Sequence, residues 1–306
     1  MIHRRIGITR WVALWGAMLL VWSGGPAAAA PVLHLDASEF SAADPALSTW
    51  PDRSGWGNDA TVPTGNEPAV VLGALGGNPV VRFDSGGSSD ALVTPEETLP
   101  GGSAALHAVI VARSADDKGH MLVHNRGPGS SNLLYVSFLQ TRRISHGSRF
   151  DGSGSNRTAF TGDVWSTSQG GIVSSVIRSD NSAALSVDGG PPHTIAAGGT
   201  ALTYGNELTI GNQDFIGNSS YDGDIAELIV FDRELTSDEE RGILHILSDK
   251  WGTEPVSATQ AQIEAGEQAL APIPEPTAGL LLMLAGAFAL QRRRRHGNLY
   301  RQTQER

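Results

Sequence analysis

The stretch Gly223–Thr236, which reads GDIAELIVFDRELT, contains the clearest local pattern in the chain. Ile225–Phe231 is apolar except for Glu227, and turn residues bound it on both sides. A short apolar run of this kind predicts a β-strand. Glu227 interrupts the run, and a buried carboxylate needs hydrogen bonds or a cation to offset its desolvation.

A helix is predicted directly after this strand. Thr236 and Glu239 form the Thr-x-x-Glu pattern of a capping box, and Gly252 can end the helix. Apolar residues recur at helical spacing along one face. They are Ile243, Ile246, Leu247 and Trp251. We therefore expect a C-terminal helix that docks against the strands.

Similar short apolar runs recur along the chain, separated by turns rich in Gly, Asn, Asp, Ser and Pro. The other predicted strands are Val32–Leu35, Val70–Leu72, Val80–Phe83, Leu106–Ala112, His120–His124, Leu133–Phe138, Ile172–Ile177, Ala183–Val187 and Glu207–Ile210. Many short strands with little helix predict a sandwich or a barrel. Ser145–Asp163 is rich in Gly, Ser, Asn and Arg, so we expect an exposed loop there.

Charge and cysteine content exclude several functions. The chain has 306 residues, no cysteine and a formal net charge of −10. Residues 30–272 contain 13 basic and 30 acidic side chains, which gives −17. An acidic body repels phosphate backbones, so no nucleic-acid partner is expected. Disulfides, cysteine-ligated zinc and iron–sulfur clusters are excluded.

Both ends of the chain look like targeting segments. Three arginines precede the apolar run Trp11–Trp22, and four alanines follow it, a pattern typical of a secretory signal peptide. Signal peptidase would cleave after Ala29. The alternative is a retained N-terminal anchor, although twelve apolar residues are short for a membrane span.

The C-terminal segment contains a proline-rich motif, an apolar run and a basic cluster. These are Pro274-Glu275-Pro276, residues 277–290, and Arg292, Arg293, Arg294 and Arg295. The order resembles the PEP-CTERM sorting signal of Gram-negative and related bacteria. The resemblance implies transient membrane insertion, processing by an exosortase, and delivery to the cell surface, outer envelope or extracellular matrix. A simple tail anchor is the alternative, because the arginines favour a cytoplasmic C-terminus.

Five blocks in the central region resemble bacterial laminin-G-like domains of the concanavalin A-like class. They are Trp50–Ala60 (WPDRSGWGNDA), Gly77–Asp84 (GNPVVRFD), Ser186–Gly190 (SVDGG), Leu208–Gly211 (LTIG) and Gly223–Thr236. The resemblance implies a jelly-roll sandwich of two antiparallel sheets with one C-terminal helix. We therefore divide the chain into a signal peptide (1–29), a jelly-roll domain (30–252), a linker or weak helix (253–272) and a sorting tail (273–306).

Calcium is the best cofactor candidate. It prefers oxygen ligands and extracellular sites, and the resemblance implies one structural ion at the rim of the sandwich. The expected ligands are Asp52, Asn58 and Asp224. The alternative for Asp52 and Asn58 is a role in turn hydrogen bonds alone.

Glycan binding would require exposed aromatic side chains with polar neighbours. Trp56 and Trp165 lie in polar loops and are the aromatic candidates, whereas Trp50 is expected in the core. Glu227 is a further candidate for a ligand or metal contact. The alternative is that Glu227 is a structural carboxylate, hydrogen-bonded to backbone amides, an arginine or an indole.

These features together favour a non-catalytic adhesion or carbohydrate-binding module that contacts extracellular polysaccharide. The alternatives are a structural protein of the exopolysaccharide layer without a specific ligand, and a glycoside hydrolase. Sandwich glucanases carry a Glu-x-Asp-x-x-Glu strand, and the chain contains no such motif. The nearest carboxylates are Asp222, Asp224 and Glu227, and we expect no enzymatic activity from them.

Overall fold

The computed structural model describes residues 30–63, 65, 67–84, 90–99, 105–115, 120–126, 133–139, 143–149, 156–160, 170–180, 182–196, 207–212 and 220–273. Its elements in chain order are β1 Leu33–Asp36, β2 Thr49–Trp50, β3 Ala60–Thr61, β4 Ala69–Leu75, β5 Asn78–Phe83, β6 Leu92–Val93, β7 Leu106–Ser114, β8 His120–Arg126, β9 Leu133–Leu139, β10 Arg143–Arg149, β11 Asn156–Phe160, β12 Gly171–Ile177, β13 Ala183–Val187, β14 His193–Ile195, β15 Thr209–Ile210, β16 Gly223–Phe231, α1 Ser237–Trp251 and α2 Gln260–Leu270.

The strands form two antiparallel sheets of eight strands each. The first has the order β14-β13-β12-β7-β16-β5-β4, and β1 also pairs with β16 beside β5. The second has the order β11-β10-β9-β8-β15-β6-β3-β2. Leu33 and Leu35 of β1 and Val123 and Ile144 of the second sheet belong to one buried cluster. The two sheets therefore enclose a common core, an architecture consistent with a jelly-roll sandwich.

The predicted strand and helix at residues 223–252 are confirmed. Every residue of β16 is buried, because the strand lies inside the first sheet. Lys250 and Trp251 at the end of α1 contact it at Glu227. The capping box of Thr236 and Glu239 begins α1, and Gly252 ends it in the left-handed conformation with φ of 62°. Ile243, with Leu247 and Trp251, faces the core.

A second helix, α2, occupies part of the segment that the sequence indicated as a linker or weak helix. It crosses α1 at Gly242, where a Cβ atom would lie only 1.8 Å from the carbonyl oxygen of Gln262. Gly266 makes the matching approach from α2. Two glycines thus let the helix backbones come closer than any side chain would allow. No helix within the described part of the chain is long and apolar enough to cross a membrane.

The expectation of a single exposed loop over Ser145–Asp163 is wrong. Strands β10 and β11 pair there, with Ser145 opposite Phe160 and Arg149 opposite Asn156. Composition was misleading, because a strand ladder is held by backbone hydrogen bonds that polar residues can make as well as apolar ones.

Candidate functional site

The start of β16 forms the floor of a polar pocket. Asp224 lies directly opposite Arg82 of β5 and opposite Arg113 of β7, so the two arginines flank it on neighbouring strands. Gly223 precedes it with φ of 153°, and a Cβ atom there would lie 2.3 Å from the carbonyl oxygen of Arg113. The strands can approach each other at this point because residue 223 is glycine.

Both arginines bind the same carboxylate. Nε of Arg82 donates to Oδ1 of Asp224 over 2.7 Å, and its Nη2 donates to Oδ2 over 3.1 Å. Arg113 donates to Oδ2 through Nε, at 3.1 Å, and through Nη2. The Asp224 side chain is 3% exposed, against 46% for Arg82 and 22% for Arg113. The hydrogen bond to Asp224 raises the pKa of Arg82.

The pocket above this cluster has a volume of about 280 Å³. Its lining residues are Arg82, Arg113, Ser114, Ala115, Asp222, Gly223 and Asp224. Two guanidinium groups and two carboxylates make its formal charge zero. The buried Asp224 fixes the orientation of both guanidinium planes, and the pocket offers charged donors and acceptors close together. Such a surface suits a compact ligand that both donates and accepts hydrogen bonds.

A second polar cluster lies between β1, β16 and the last turn of α1. Oε1 of Glu227 is 2.7 Å from Nε2 of His34. Oε2 of Glu227 accepts from Nε1 of Trp251 over 2.6 Å and from Nζ of Lys250 over 2.7 Å. Lys250 also donates to Oδ2 of Asp36 over 2.7 Å. Burial opposes ionisation of Asp36, but the hydrogen bond and charge of Lys250, together with two hydrogen bonds from Ser38, outweigh it and lower the pKa of that carboxyl.

This cluster has the donor atoms of a metal site but already contains a cation. Ligand atoms of His34, Asp36 and Glu227 lie within 4.8 Å of one another. The ammonium group of Lys250 bridges the two carboxylates, which lie on directly paired residues of β1 and β16. A metal ion would have to displace it. We therefore assign the cluster a structural role, in which Lys250 neutralises two carboxylates that would otherwise repel each other.

Residues 52–59, here called the Asp52 loop, are held by the carboxylate of Asp52. Oδ1 accepts from the backbone N–H groups of His34 and Ser54, both at 2.9 Å. Oδ2 accepts from Oγ of Ser54 at 2.6 Å and from the backbone N–H of Asn58 at 2.9 Å. The side-chain amide of Asn58 donates to the carbonyl oxygen of Val32 over 2.8 Å. The loop is thus closed by hydrogen bonds within the protein.

The three predicted calcium ligands do not form one donor set. Asp52 and Asn58 are neighbours in the Asp52 loop, and Asp52 bridges to Leu35, which pairs with Leu228. Asp224 lies four residues before Leu228 in β16, about 13 Å away. Its oxygens accept from Arg82 and Arg113. The ligands of a calcium ion surround one centre at about 2.3–2.6 Å, so Asp224 cannot share an ion with Asp52 and Asn58.

The predicted ligand residues lie in different environments. Trp56 is 60% exposed on the Asp52 loop, whereas Trp50 is fully buried in the core, as expected. Glu227 is buried beneath α1, where its partners are an indole, an ammonium and an imidazole, so its carboxylate does not face an open surface. Trp165 lies outside the described residues. So do Ala29 and the sorting residues Pro274, Glu275, Pro276, Arg292, Arg293, Arg294 and Arg295.

A buried hydrogen-bond chain links the first sheet to the start of α1. The N–H of Leu235 donates to Nδ1 of His107, so Nε2 carries the proton and donates to Oγ of Ser174 over 2.8 Å. Ser174 in turn donates to Oε1 of Glu240 over 2.5 Å. Burial lowers the pKa of His107 to about 4. The serine donates to the carboxylate instead of the histidine, which is opposite to the activation of a nucleophile.

Arg82 and Arg113 were not among the predicted site residues. Each is a charged residue at the end of an apolar strand, in VVRFD and VIVARS. That position is a usable signal for a rim site, but a single arginine at a strand end does not indicate its partner. Asp224 is separated from Arg82 by 142 residues and from Arg113 by 111.

Comparison with known proteins identifies the fold and not a family. No model of a known protein family matches the chain, and no curated protein is significantly similar to it. Solved structures with a similar fold include the binding domain of botulinum neurotoxin serotype G. It has a TM-score of 0.56 and 14% identity, over 73% of this chain and 54% of that one.

Two further solved structures show the same likeness. The binding domain of paraclostridial mosquitocidal protein 1 has a TM-score of 0.56 and 12% identity, over 74% of this chain and 56% of that one. A Trypanosoma rangeli sialidase has a TM-score of 0.50 and 17% identity, over 72% of this chain and 33% of that one. The chain therefore spans about half of the toxin domains and a third of the sialidase. At these identities the likeness shows a shared all-β architecture.

Proposed function

We propose that this protein is an exported, non-catalytic carbohydrate-binding module whose ligand enters the pocket above Asp224. The observation that carries the proposal is the fork of Arg82 and Arg113, fixed by one buried carboxylate at the start of the inner strand β16. Two of the solved structures with a similar fold are binding domains, and a third is a sialidase in complex with a fluorinated sugar acid. These similarities support the proposal, because the solved structures share the all-β fold whose strands form the pocket.

The chemistry of the pocket favours a sugar over an anion. Asp222 and Asp224 cancel the charge of the two arginines, so a phosphate or sulfate would gain little net attraction. A sugar hydroxyl both donates and accepts, and it can bond to guanidinium and carboxylate groups at once. The volume of about 280 Å³ lies just below the usual range for drug-sized ligands, which suits a monosaccharide unit.

We further propose that the sandwich is of the laminin-G-like, concanavalin A-like type, and that it acts in adhesion at the bacterial surface or in the extracellular matrix. Signal peptidase removes residues 1–29, and an exosortase recognises the Pro-Glu-Pro tail. This part of the proposal is supported by the sequence patterns at the two ends.

A hydrolase is less well supported than a binding module. Glycoside hydrolysis needs one carboxylic acid that donates a proton and a second carboxylate across the sugar. Both oxygens of Asp224 accept hydrogen bonds from guanidinium groups, so this residue is arranged as an acceptor. The pocket therefore favours binding without bond cleavage.

The proposal is tested with a glycan array probed with the purified protein. Binding to a defined group of glycans is the expected result, without release of reducing sugar from the polysaccharides that bind. Absence of binding to any glycan would favour a structural protein of the exopolysaccharide layer. Release of reducing sugar would identify a hydrolase. Mass spectrometry of the protein isolated from cells tests the tail, because a chain that still ends at Arg306 contradicts exosortase processing.

A further inference from the structure

Both ends of the described chain meet at the Asp52 loop. At the N-terminal end, the carbonyl oxygen of Val32 accepts from the side chain of Asn58 over 2.8 Å. At the C-terminal end, the N–H of Ile273 donates to the carbonyl oxygen of Ser54 over 3.1 Å. Val32 and Ile273 therefore lie close together at the Asp52 loop.

This meeting point and the sugar pocket lie at opposite ends of β16. The N–H of Val32 donates to the carbonyl oxygen of Val230 over 2.8 Å, which places the Asp52 loop beside the end of the strand. Asp224 and the pocket lie at its start. Six residues of strand separate positions 224 and 230, or about 20 Å.

Trp56 is exposed at the same end as the two chain exits. A Cβ atom on Gly55 would lie 3.2 Å from the carbonyl oxygen of Ile273, so the residue next to Trp56 is in contact with the departing chain. The apolar run of the tail begins at residue 277. Four residues reach at most about 14 Å when fully extended, which limits the distance between Ile273 and any bilayer that the run enters.

We propose that the end formed by Trp56 and residues 271–273 rests on a phospholipid bilayer while the protein is anchored, with the sugar pocket facing away from it. The inference rests on the membrane insertion in the proposed function. Residue 273, from which the tail continues, lies at this end, and so does Val32 near the start of the described chain. Tryptophan prefers the membrane interface, where its ring is apolar and its N–H is hydrated.

Charge favours an apolar contact at this surface. The body carries −17 over residues 30–272, so anionic lipids repel it. Arg53 on the same loop is paired with Glu39 at 3.0 Å and adds no free positive charge. A bilayer of zwitterionic phosphatidylcholine is therefore the appropriate probe.

The absence of cysteine makes a direct test feasible. The full chain with Arg53→Cys, at the Asp52 loop, or with Ala115→Cys, at the pocket, is labelled with a nitroxide and inserted into phosphatidylcholine vesicles. Power-saturation measurements then compare collisions with lipid-soluble oxygen and with a water-soluble nickel chelate. The label at 53 is expected to favour oxygen, and the label at 115 to favour nickel. Trp56→Ser should shift the label at 53 towards nickel, whereas Leu72→Ser, at another exposed apolar residue, should not.

Several outcomes would overturn the inference. A water-like label at 53 on chains that float with the vesicles rejects the proposed orientation alone. Chains that fail to float reject the membrane insertion as well. If Trp56→Ser abolishes glycan binding and leaves the label at 53 unchanged, Trp56 is a sugar platform and not a membrane contact.

Discussion

The indole Nε1 of Trp251 donates a 2.6 Å hydrogen bond to Oε2 of Glu227, which connects the last turn of α1 to the inner strand β16 of the first sheet. The same carboxylate binds Lys250 and His34. Glu227 thereby joins Lys250 and Trp251 of α1 to His34 of β1, the first strand of the sandwich. This one buried acid connects α1 and β1 to β16, and its three partners offset the cost of burying its charge.

Replacement of Glu227 should destabilise the whole domain. Glu227→Gln removes the negative charge from a buried cluster. Of the two carboxylates described in contact with Lys250, only that of Asp36 then remains. We expect a loss of about 3 kcal/mol in the free energy of unfolding, measured by urea denaturation. The exposed Glu67→Gln should change it by less than about 0.5 kcal/mol. A value for Glu227→Gln as small as that of the control would contradict the structural role.

Arg82→Ala should weaken glycan binding without unfolding the protein. It removes two hydrogen bonds to Asp224 and half of the guanidinium fork, while Arg113 continues to pair with Asp224. We expect an increase in the dissociation constant of at least about tenfold, or 1.4 kcal/mol. Arg178→Ala is the matched control, because Arg178 pairs with Glu234 outside the pocket. Equal effects of the two variants would place the ligand elsewhere.

The Asp52 loop should be stable without a metal ion. Chelators are expected to leave the melting temperature unchanged, since the Asp52 oxygens already accept four hydrogen bonds. Asp52→Ala, in contrast, should lower the free energy of unfolding by about 2 kcal/mol, because it leaves three partly buried backbone donors unpaired. A lower melting temperature in chelator, restored by added calcium, would show that this prediction is wrong.

Gly242→Ala should separate the two helices. The added Cβ would lie 1.8 Å from the carbonyl oxygen of Gln262, a backbone atom that cannot rotate away. We expect α2 to detach, which limited proteolysis detects as rapid cleavage after residue 252. Alanine at the exposed Asp249 of the same helix serves as the control. Unchanged protease resistance in Gly242→Ala would argue against the close crossing.

The stability of the protein should depend on the ionisation of Asp188. Burial raises the pKa of this carboxyl from 3.8 to about 6, so the folded protein holds the proton more tightly than the unfolded chain. The stabilisation that protonated Asp188 gives the folded state is present below pH 4 and is lost as the pH rises through 6.

Asp188→Asn removes this dependence. Asparagine keeps an oxygen for the N–H of Ile172 and tolerates the φ of 49° at this turn. The variant should be more stable than the parent by up to about 3 kcal/mol at pH 7 and should match it closely at pH 4. Denaturation at several pH values measures the difference, with the exposed Glu97→Gln as the control. A pH-independent difference would show that Asp188 does not titrate in this range.

Sequence patterns predicted correctly those elements whose ends depend on residues close together in the chain. The capping box that starts α1 and the left-handed glycine that ends it involve residues a few positions apart, so the sequence predicts both. The apolar run of β16 was likewise recognisable. Strands β10 and β11 were not, because each is polar and is held by backbone pairing with its neighbours.

The sequence alone determined that the central region is an all-β domain with one capped helix, and that Glu227 must find a partner if its strand is buried. It could not identify that partner, because Trp251, Lys250 and His34 reach Glu227 only after the strands pair and α1 docks. The pocket above Asp224 likewise forms only once the strands have paired. Arg82, Arg113 and Asp224 become neighbours through strand register, which is fixed by the packing of the core over more than a hundred residues.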